Sequence, residues 1–287
     1  MESGHRTTSQ SSPTSRLPPP HRQDRPDSPA HRTWPRDHHI QQRVNDRLTE
    51  LRFPAPRSVF IGRLEEDDDD PNAARTVEIQ EFVEGTPMSD LLDRGDHDLQ
   101  TNLFRQLGEL TAALHTIRHR GPRWEDHDWQ ACGSWADALV PDADATHITA
   151  ADPSMATAVL PAMRLIEDAL SSQPEPDRSI AHSDLHPGNV LVDSAGAVRL
   201  IDFELAHLWE GAWDLATRLC WVIYSHHAQQ QFLPPYFERT GADREELAAR
   251  VWLYTGIHLV RTTREFYDGN PVWESSIDGL RRWAQAG

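Results

Sequence analysis

Asp184, Asn189 and Asp202 have the types and spacing to do chemistry on a phosphate. The first two lie in His182-Ser183-Asp184-Leu185-His186-Pro187-Gly188-Asn189. The third follows in Leu200-Ile201-Asp202-Phe203-Glu204. Phosphoryl transfer needs two carboxylates and an amide carbonyl at one point. One Asp orients or deprotonates the attacking hydroxyl, while an Asn and a second Asp hold the magnesium that neutralises the phosphates of ATP. On this reading Asp184 is the catalytic acceptor of the hydroxyl proton, and Asn189 and Asp202 are the metal ligands. Each residue alone would more often serve as a turn or cap residue. His182 and His186, four apart, raise a second chemistry, a zinc-dependent hydrolysis, but a hydrolytic zinc needs three protein ligands and no second paired motif accompanies them.

The flanking pattern supplies the device that would gather these side chains. Asn189-Val190-Leu191-Val192 reads as a short buried strand and Asp193-Ser194-Ala195-Gly196 as a turn. Ala197-Val198-Arg199-Leu200-Ile201 reads as the return strand. Such a hairpin carries Asp202 back beside Asn189.

The order H-x-D-x-x-x-x-N, then a strand ending in Asp-Phe, follows the catalytic and metal-binding segments of protein-kinase-like enzymes. In detail the octet resembles the H-G-D-L-H-P-G-N loop of the aminoglycoside phosphotransferase family, with Ser183 in place of Gly. Gly211-Ala212-Trp213-Asp214-Leu215-Ala216 is similar to the segment that family places after its metal-binding Asp. The resemblance implies that Asp214 braces the catalytic loop through backbone hydrogen bonds and that His182 is structural; an ordinary acid in a helix first turn would also fit Asp214. Ile79-Gln80-Glu81-Phe82-Val83-Glu84-Gly85 resembles the family's hinge. There the backbone of Glu81 and Val83 would meet adenine, although a strand ended by a glycine turn reads equally simply. Glu204, where protein kinases place Gly, is also similar to choline-kinase-like enzymes.

The implied fold is α+β and protein-kinase-like, with a truncated, β-rich small lobe and a large, mainly helical one. Residues 1–36, rich in Pro, Ser, Arg and His, lack the apolar content to offset chain entropy and are expected to be a disordered leader. Residues 37–84 are expected to be a partial N-terminal lobe: a helix from Ile40 to Leu51, strands Ser58–Gly62 and Thr76–Val83, and an acidic loop, Glu65–Asp70, between them. Residues 85–287 are expected to form the helical lobe. Its long helix carries Leu103, Leu107, Leu110, Leu114 and Ile117 on one face and ends near His119. A Trp-rich connector spans Trp124–Trp135, and Pro161 leads into a helix over Ala162–Leu170. A helix opened by Trp213 runs to Tyr224, and another covers Arg244–Tyr267.

A formal net charge of -17 argues against a nucleic-acid partner, and an acidic protein can attract a cationic substrate. Two cysteines in separate elements make no disulfide framework and point to a reducing compartment. No apolar run reaches membrane-spanning length and no secretory signal pattern is present, so no membrane partner and a cytoplasmic location are expected. All 28 residues of the Lys+Arg count are arginine. The lysine that kinase-like folds set on the ATP phosphates is therefore missing. Residues 1–36 contain one glycine, Gly4, and no strand pattern, so the phosphate-covering loop is missing as well. The expected function is ATP- and magnesium-dependent phosphotransfer to a hydroxyl of a small molecule, aminoglycoside-like or another amino alcohol, impaired by these losses. The alternative is a non-catalytic nucleotide- or ligand-binding protein on the same scaffold.

Overall fold

The computed structural model describes residues 38–64, 75–118, 136, 139, 155–174, 176–217, 219, 225–265 and 271–286. Arg36–Gly287 forms one compact unit. The expected leader, the acidic loop Glu65–Asp70, the Trp-rich connector and the stretch from Cys220 to Tyr224 lie outside the described residues, as does the segment after Glu265 to Asn270.

Helix α1 (His38–Glu50) packs Val44 and Leu48 into the core. It stops at Leu51-Arg52-Phe53, where Arg52 turns left-handed at φ 50 and Pro54 and Pro56 bar further helix. Strands β1 (Ser58–Leu64) and β2 (Arg75–Gln80) pair antiparallel with Phe60 opposite Ile79. Glu78 ties this ribbon to α1 by accepting from Asn45 Nδ2 at 2.9 Å and from the Ser58 hydroxyl. The second strand ends at Gln80, not at Val83. Its last rung is the Glu81 amide on the Arg57 carbonyl (2.9 Å), after which β1 has no residue left to pair.

Residues 81–85 lead to β3 (Thr86–Pro87), the edge of a three-stranded sheet. Strands β5 (Val190–Val192) and β6 (Val198–Leu200) are the expected hairpin, one residue shorter at each end of the return strand. Thr86 pairs with Val192, so the candidate hinge enters the sheet that carries Asn189. A further pair, β4 (Ser179–Ala181) with β7 (His207–Trp209), brackets the loop His182–Asn189 from the other side.

The helical part begins with α2 (Met88–Leu92) and α3 (His97–His115), the latter N-capped by Asp96, which accepts from the Leu99 amide at 3.1 Å. Leu103, Leu107, Leu110 and Leu114 are buried as expected, but α3 ends at His115. Beyond it Arg118 bridges Ser179 and the Ile180 amide bonds the Ile117 carbonyl, so the chain turns into sheet contact instead of continuing to His119. Helix α4 (Ala156–Ser172) contains Pro161 in its interior, so the proline does not open the helix as expected. Helix α5 (Gly211–Thr217) is followed by α6 (His226–Thr240), α7 (Arg244–Glu265) and α8 (Pro271–Ala286). Helices α3 and α6 lie in close contact because Gly108 has no Cβ; one there would strike the Phe232 carbonyl. One core cluster runs from Val44 and Leu48 through Met88, Leu103 and Leu107 to Leu200, Phe203, Phe232 and Tyr236. It joins α1, the hairpin and the helices behind the site.

Candidate active site

The candidate catalytic loop is the link from β4 to β5. His182 is fully buried, and its Nε2 donates to the Ile201 carbonyl at 2.8 Å while Nδ1 accepts from the Asp184 amide at 3.3 Å. Both ring nitrogens are used by backbone, so His182 is a strut and not a metal ligand. Burial lowers its pKa against the pull of the Asp214, Asp184 and Asp202 carboxylates around it, which keeps the ring neutral at neutral pH. The Phe203 ring lies 4.5 Å from His182 and 6.3 Å from Phe53, edge-on to the latter. The end of α1 is thereby packed against the Asp-Phe segment.

Ser183 is left-handed at φ 67, the conformation for which glycine is suited, at the one octet position where this sequence differs from the resembled motif. Its hydroxyl and His207 Nδ1 lie 3.0 Å apart. The half-buried Asp184 accepts from Asn189 Nδ2 at 3.1 Å through its carboxylate and at 2.9 Å through its own carbonyl. His186 Nε2 stands 3.8 Å from the same carboxylate, while His186 Nδ1 accepts from the Gly188 amide and caps the short turn Pro187–Asn189.

Asn189 is buried, and its carbonyl accepts from the Ile201 amide at 3.0 Å, the rung that places Asp202 next to the loop. Asp202 is exposed and left-handed at φ 62, so the chain reverses direction there and turns the residue out of the strand. Because Asn189 uses its amide nitrogen on Asp184, its Oδ1 is the atom suited to a hard cation, alongside the Asp202 carboxylate. Among the described residues no three His, Cys, Asp or Glu side chains gather as a metal cluster. The structure brings Asp184, Asn189 and Asp202 into one loop-and-hairpin unit. Glu81 and Val83 stand apart on the segment leading to β3, where Gly85 is pressed against Leu191 and the Val192 carbonyl.

Two positioning features had no reading in the sequence. Gln106 on α3 donates to the Gly196 carbonyl (2.9 Å) and accepts from the Val198 amide (3.3 Å), clasping the hairpin turn. Within that turn Asp193 Oδ1 accepts from the Ala195 and Ala197 amides, and these bonds, that from Ala197 foremost, lower its pKa. The second feature is His115. It meets Asp214, whose carboxylate takes the amides of His182 (2.8 Å) and Ser183 (2.7 Å) as expected of a loop brace. Burial opposes ionisation of Asp214, but the His115 hydrogen bond, nearby histidines and the His182 amide outweigh it and lower its pKa. His115 also lines a cavity of about 560 Å³, together with Arg118, Glu210, Tyr236 and Arg250 among others.

Solved structures show the same fold. The apo form of a thermostable mutant of the aminoglycoside phosphotransferase APH(4)-Ia aligns over 85% of this chain and 83% of its own, with TM-score 0.59 and 20% identity. A choline/ethanolamine kinase family protein from Mesorhizobium loti aligns over 87% of this chain and 78% of its own, with TM-score 0.57 and 17% identity. Choline kinase LicA from Streptococcus pneumoniae aligns over 88% and 81%, with TM-score 0.53 and 15% identity. These likenesses establish the α+β, protein-kinase-like fold. The curated proteins yield no match to the chain. The family model described as "APH: Phosphotransferase enzyme family" matches residues 23–250, well over half of the 287. The chain belongs to the phosphotransferase enzyme family.

Proposed function

We propose that this phosphotransferase uses ATP and magnesium to phosphorylate a hydroxyl of a small molecule, an aminoglycoside or another amino alcohol. The observation that carries the reading is the closure of the loop on the hairpin: Asn189 bonds Asp184 through its side chain and Ile201 through its carbonyl. Asp184 orients the acceptor hydroxyl and takes its proton. Asn189 and Asp202 hold the metal, which when bound supplies charge neutralisation at the phosphates. The backbone of Glu81 and Val83 receives the adenine ring. Neighbouring structures support the nucleotide and the substrate class, since a thermostable mutant of APH(4)-Ia is seen with ADP and hygromycin B. We extend the proposal to domain organisation, with a leader over 1–36, a small lobe over 37–84 and a large lobe over 85–287, and to a cytoplasmic site of action. No helix among the described residues is long and apolar enough to cross a membrane.

The test is transfer from ATP to hygromycin B, a wider aminoglycoside panel and choline. Asp184→Asn should keep the melting temperature and lose roughly 10²–10⁴-fold in turnover, the usual worth of general-base help. Asp202→Ala should weaken ATP binding in calorimetry with magnesium and leave magnesium-free binding near wild type. Wild-type turnover in the first variant, or equal losses with and without metal in the second, would reject the assigned roles. The lysine-free sequence favours a second reading, a nucleotide binder with slow or no transfer. Turnover within the kinase range of roughly 1–100 s⁻¹ would dismiss it.

A further inference from the structure

We propose that the cleft among the ends of α3 and α6 and the starts of α5 and α7 is a second ligand site. It is separate from the phosphotransfer site and takes a small organic amine as its ammonium ion. The cleft is the cavity of about 560 Å³ already described, within the range of roughly 300–1,000 Å³ that holds metabolite-sized ligands. None of Asp184, Asn189 and Asp202 lines it. Its charged lining sets Asp177, Glu210, Asp243 and Glu246 against Arg118 and Arg250, four carboxylates to two guanidiniums, for a net charge of −2.

That count alone would not make a site; the state of Glu210 does. Its side chain is only 18% exposed, and its Oε2 accepts from the Tyr254 hydroxyl at 2.6 Å. Arg250 is buried and donates through Nη2 to the Pro174 carbonyl. Its Nε stands 3.8 Å from Glu210 Oε1, an ion pair beyond hydrogen-bond length. An ionised carboxylate offers about four lone-pair sites. Of these the Tyr254 hydroxyl fills one. Burial foremost raises the Glu210 pKa, and the charge of Glu246 raises it further, against the pull of Tyr254 and Arg250. Two carboxylates thus line one cavity and repel. An ammonium between them removes the repulsion and supplies N–H donors to a buried acceptor. Arg118 does not fill that role, because it is paired with Asp177. An anion fits poorly, since each guanidinium already has a carboxylate beside it. A bare metal ion fits poorly too. Asp243 Oδ1 is engaged by the Glu245 and Glu246 amides at 2.9 Å, and among the described residues no three His, Cys, Asp or Glu side chains gather as a metal cluster.

The test is calorimetric titration of the full-length chain with spermidine, a flexible probe with three amines, at fixed ionic strength near neutral pH. Triethylene glycol and suberate, of similar length, are its uncharged and dianionic counterparts. Spermidine should bind and the counterparts should not. Glu210→Gln keeps an oxygen for Tyr254 and removes the charge. It should weaken spermidine by about 10-fold or more, the scale of one lost charged hydrogen bond. Glu246→Gln, at the exposed rim, should weaken it about threefold. Asp202→Asn, outside the cavity, should change it by less than about twofold. On binding, amide exchange should slow in 174–179 and 240–247 and stay unchanged in 182–189. If Glu210→Gln does not fold, Glu246→Arg carries the comparison: a tethered guanidinium at the rim should weaken spermidine about 10-fold. No spermidine binding up to about 1 mM, equal affinity for triethylene glycol, or tighter binding of suberate would overturn the site. Wild-type affinity in Glu210→Gln or in Glu246→Arg, or slowed exchange confined to 182–189, would overturn it as well. Neither readout depends on phosphotransfer, so a chain that transfers nothing to any acceptor counts against the proposed function and not against this site.

Discussion

At the scale of single residues, the site contains two non-glycine residues in left-handed backbone, Ser183 and Asp202. Such conformations cost L-residues roughly 1–2 kcal/mol and persist where the surroundings impose them. For Ser183 the imposing partners are Asp214 on its amide and His207 against its hydroxyl. Ser183→Ala keeps the strained backbone and removes the hydroxyl contact, whereas Ser183→Gly removes both the contact and the strain. The Gly variant should therefore be more stable than the Ala variant by about 1 kcal/mol, read from denaturant midpoints. Equal midpoints would mean the backbone at 183 carries no strain. That Asp184, Asn189 and Asp202 meet could be read from the sequence because one octet and one hairpin carry all three. His115 could not. It sits in the last turn below a leucine stripe, where a histidine reads as a helix-end cation, and its partners Asp214 and Tyr236 lie 99 and 121 residues away. A polar residue closing an apolar stripe, with Gly-Ala-Trp-Asp further on, was the available signal.

At the scale of elements, the hairpin β5-β6 is small, and its stability comes from what touches it. The Pro54 carbonyl accepts from Leu200, β3 pairs with β5, and Gln106 clasps the turn. Gln106→Ala removes two bonds to backbone groups and should cost roughly 1–3 kcal/mol, since each typical bond contributes about 1 kcal/mol. Amide exchange should rise at 196–198 before it rises in β4. A variant with wild-type exchange in that turn would show the clasp to be dispensable. The elements with strong period or turn signals, α1, α3 and the hairpin, were legible. Helix α6 was not, because Pro234 and Pro235 lie inside it and interrupt the pattern a helix is recognised by. Pro161 misled for the same reason, being interior to α4 when its type suggests a first turn. The ends of β2 and α3 were set by tertiary partners, Arg57 and Ser179, that no local pattern announces.

At the scale of the whole molecule, acid sensitivity has a local origin. His182 is buried neutral, so the folded chain binds its proton less readily than the unfolded chain does. Its contribution to stability is fully present above pH 6.5, the ordinary histidine value, and is lost as pH falls below it. The loss is at most about 1.4 kcal/mol per pH unit from this one group. Asp214, with its pKa lowered, adds a loss only below its ordinary value of 3.8. Urea titrations of wild type and His182→Gln at several values between pH 7.5 and 5.5 should show the wild type falling more steeply. Parallel curves would place the sensitivity elsewhere.

The ribbon β1-β2 and the segment after it leave Val59, Phe60, Ile79 and Phe82 more than half exposed, Phe82 at 90%. Wetting such a strip becomes costlier as excluded salts raise the tension of the surrounding water. Despite its -17 charge, the protein should salt out at low sulfate and cling to phenyl-bearing chromatographic media, and lowering the salt should release it. Preparations for the assays above belong in chloride buffers of moderate strength, where that apolar strip is least inclined to bring molecules together.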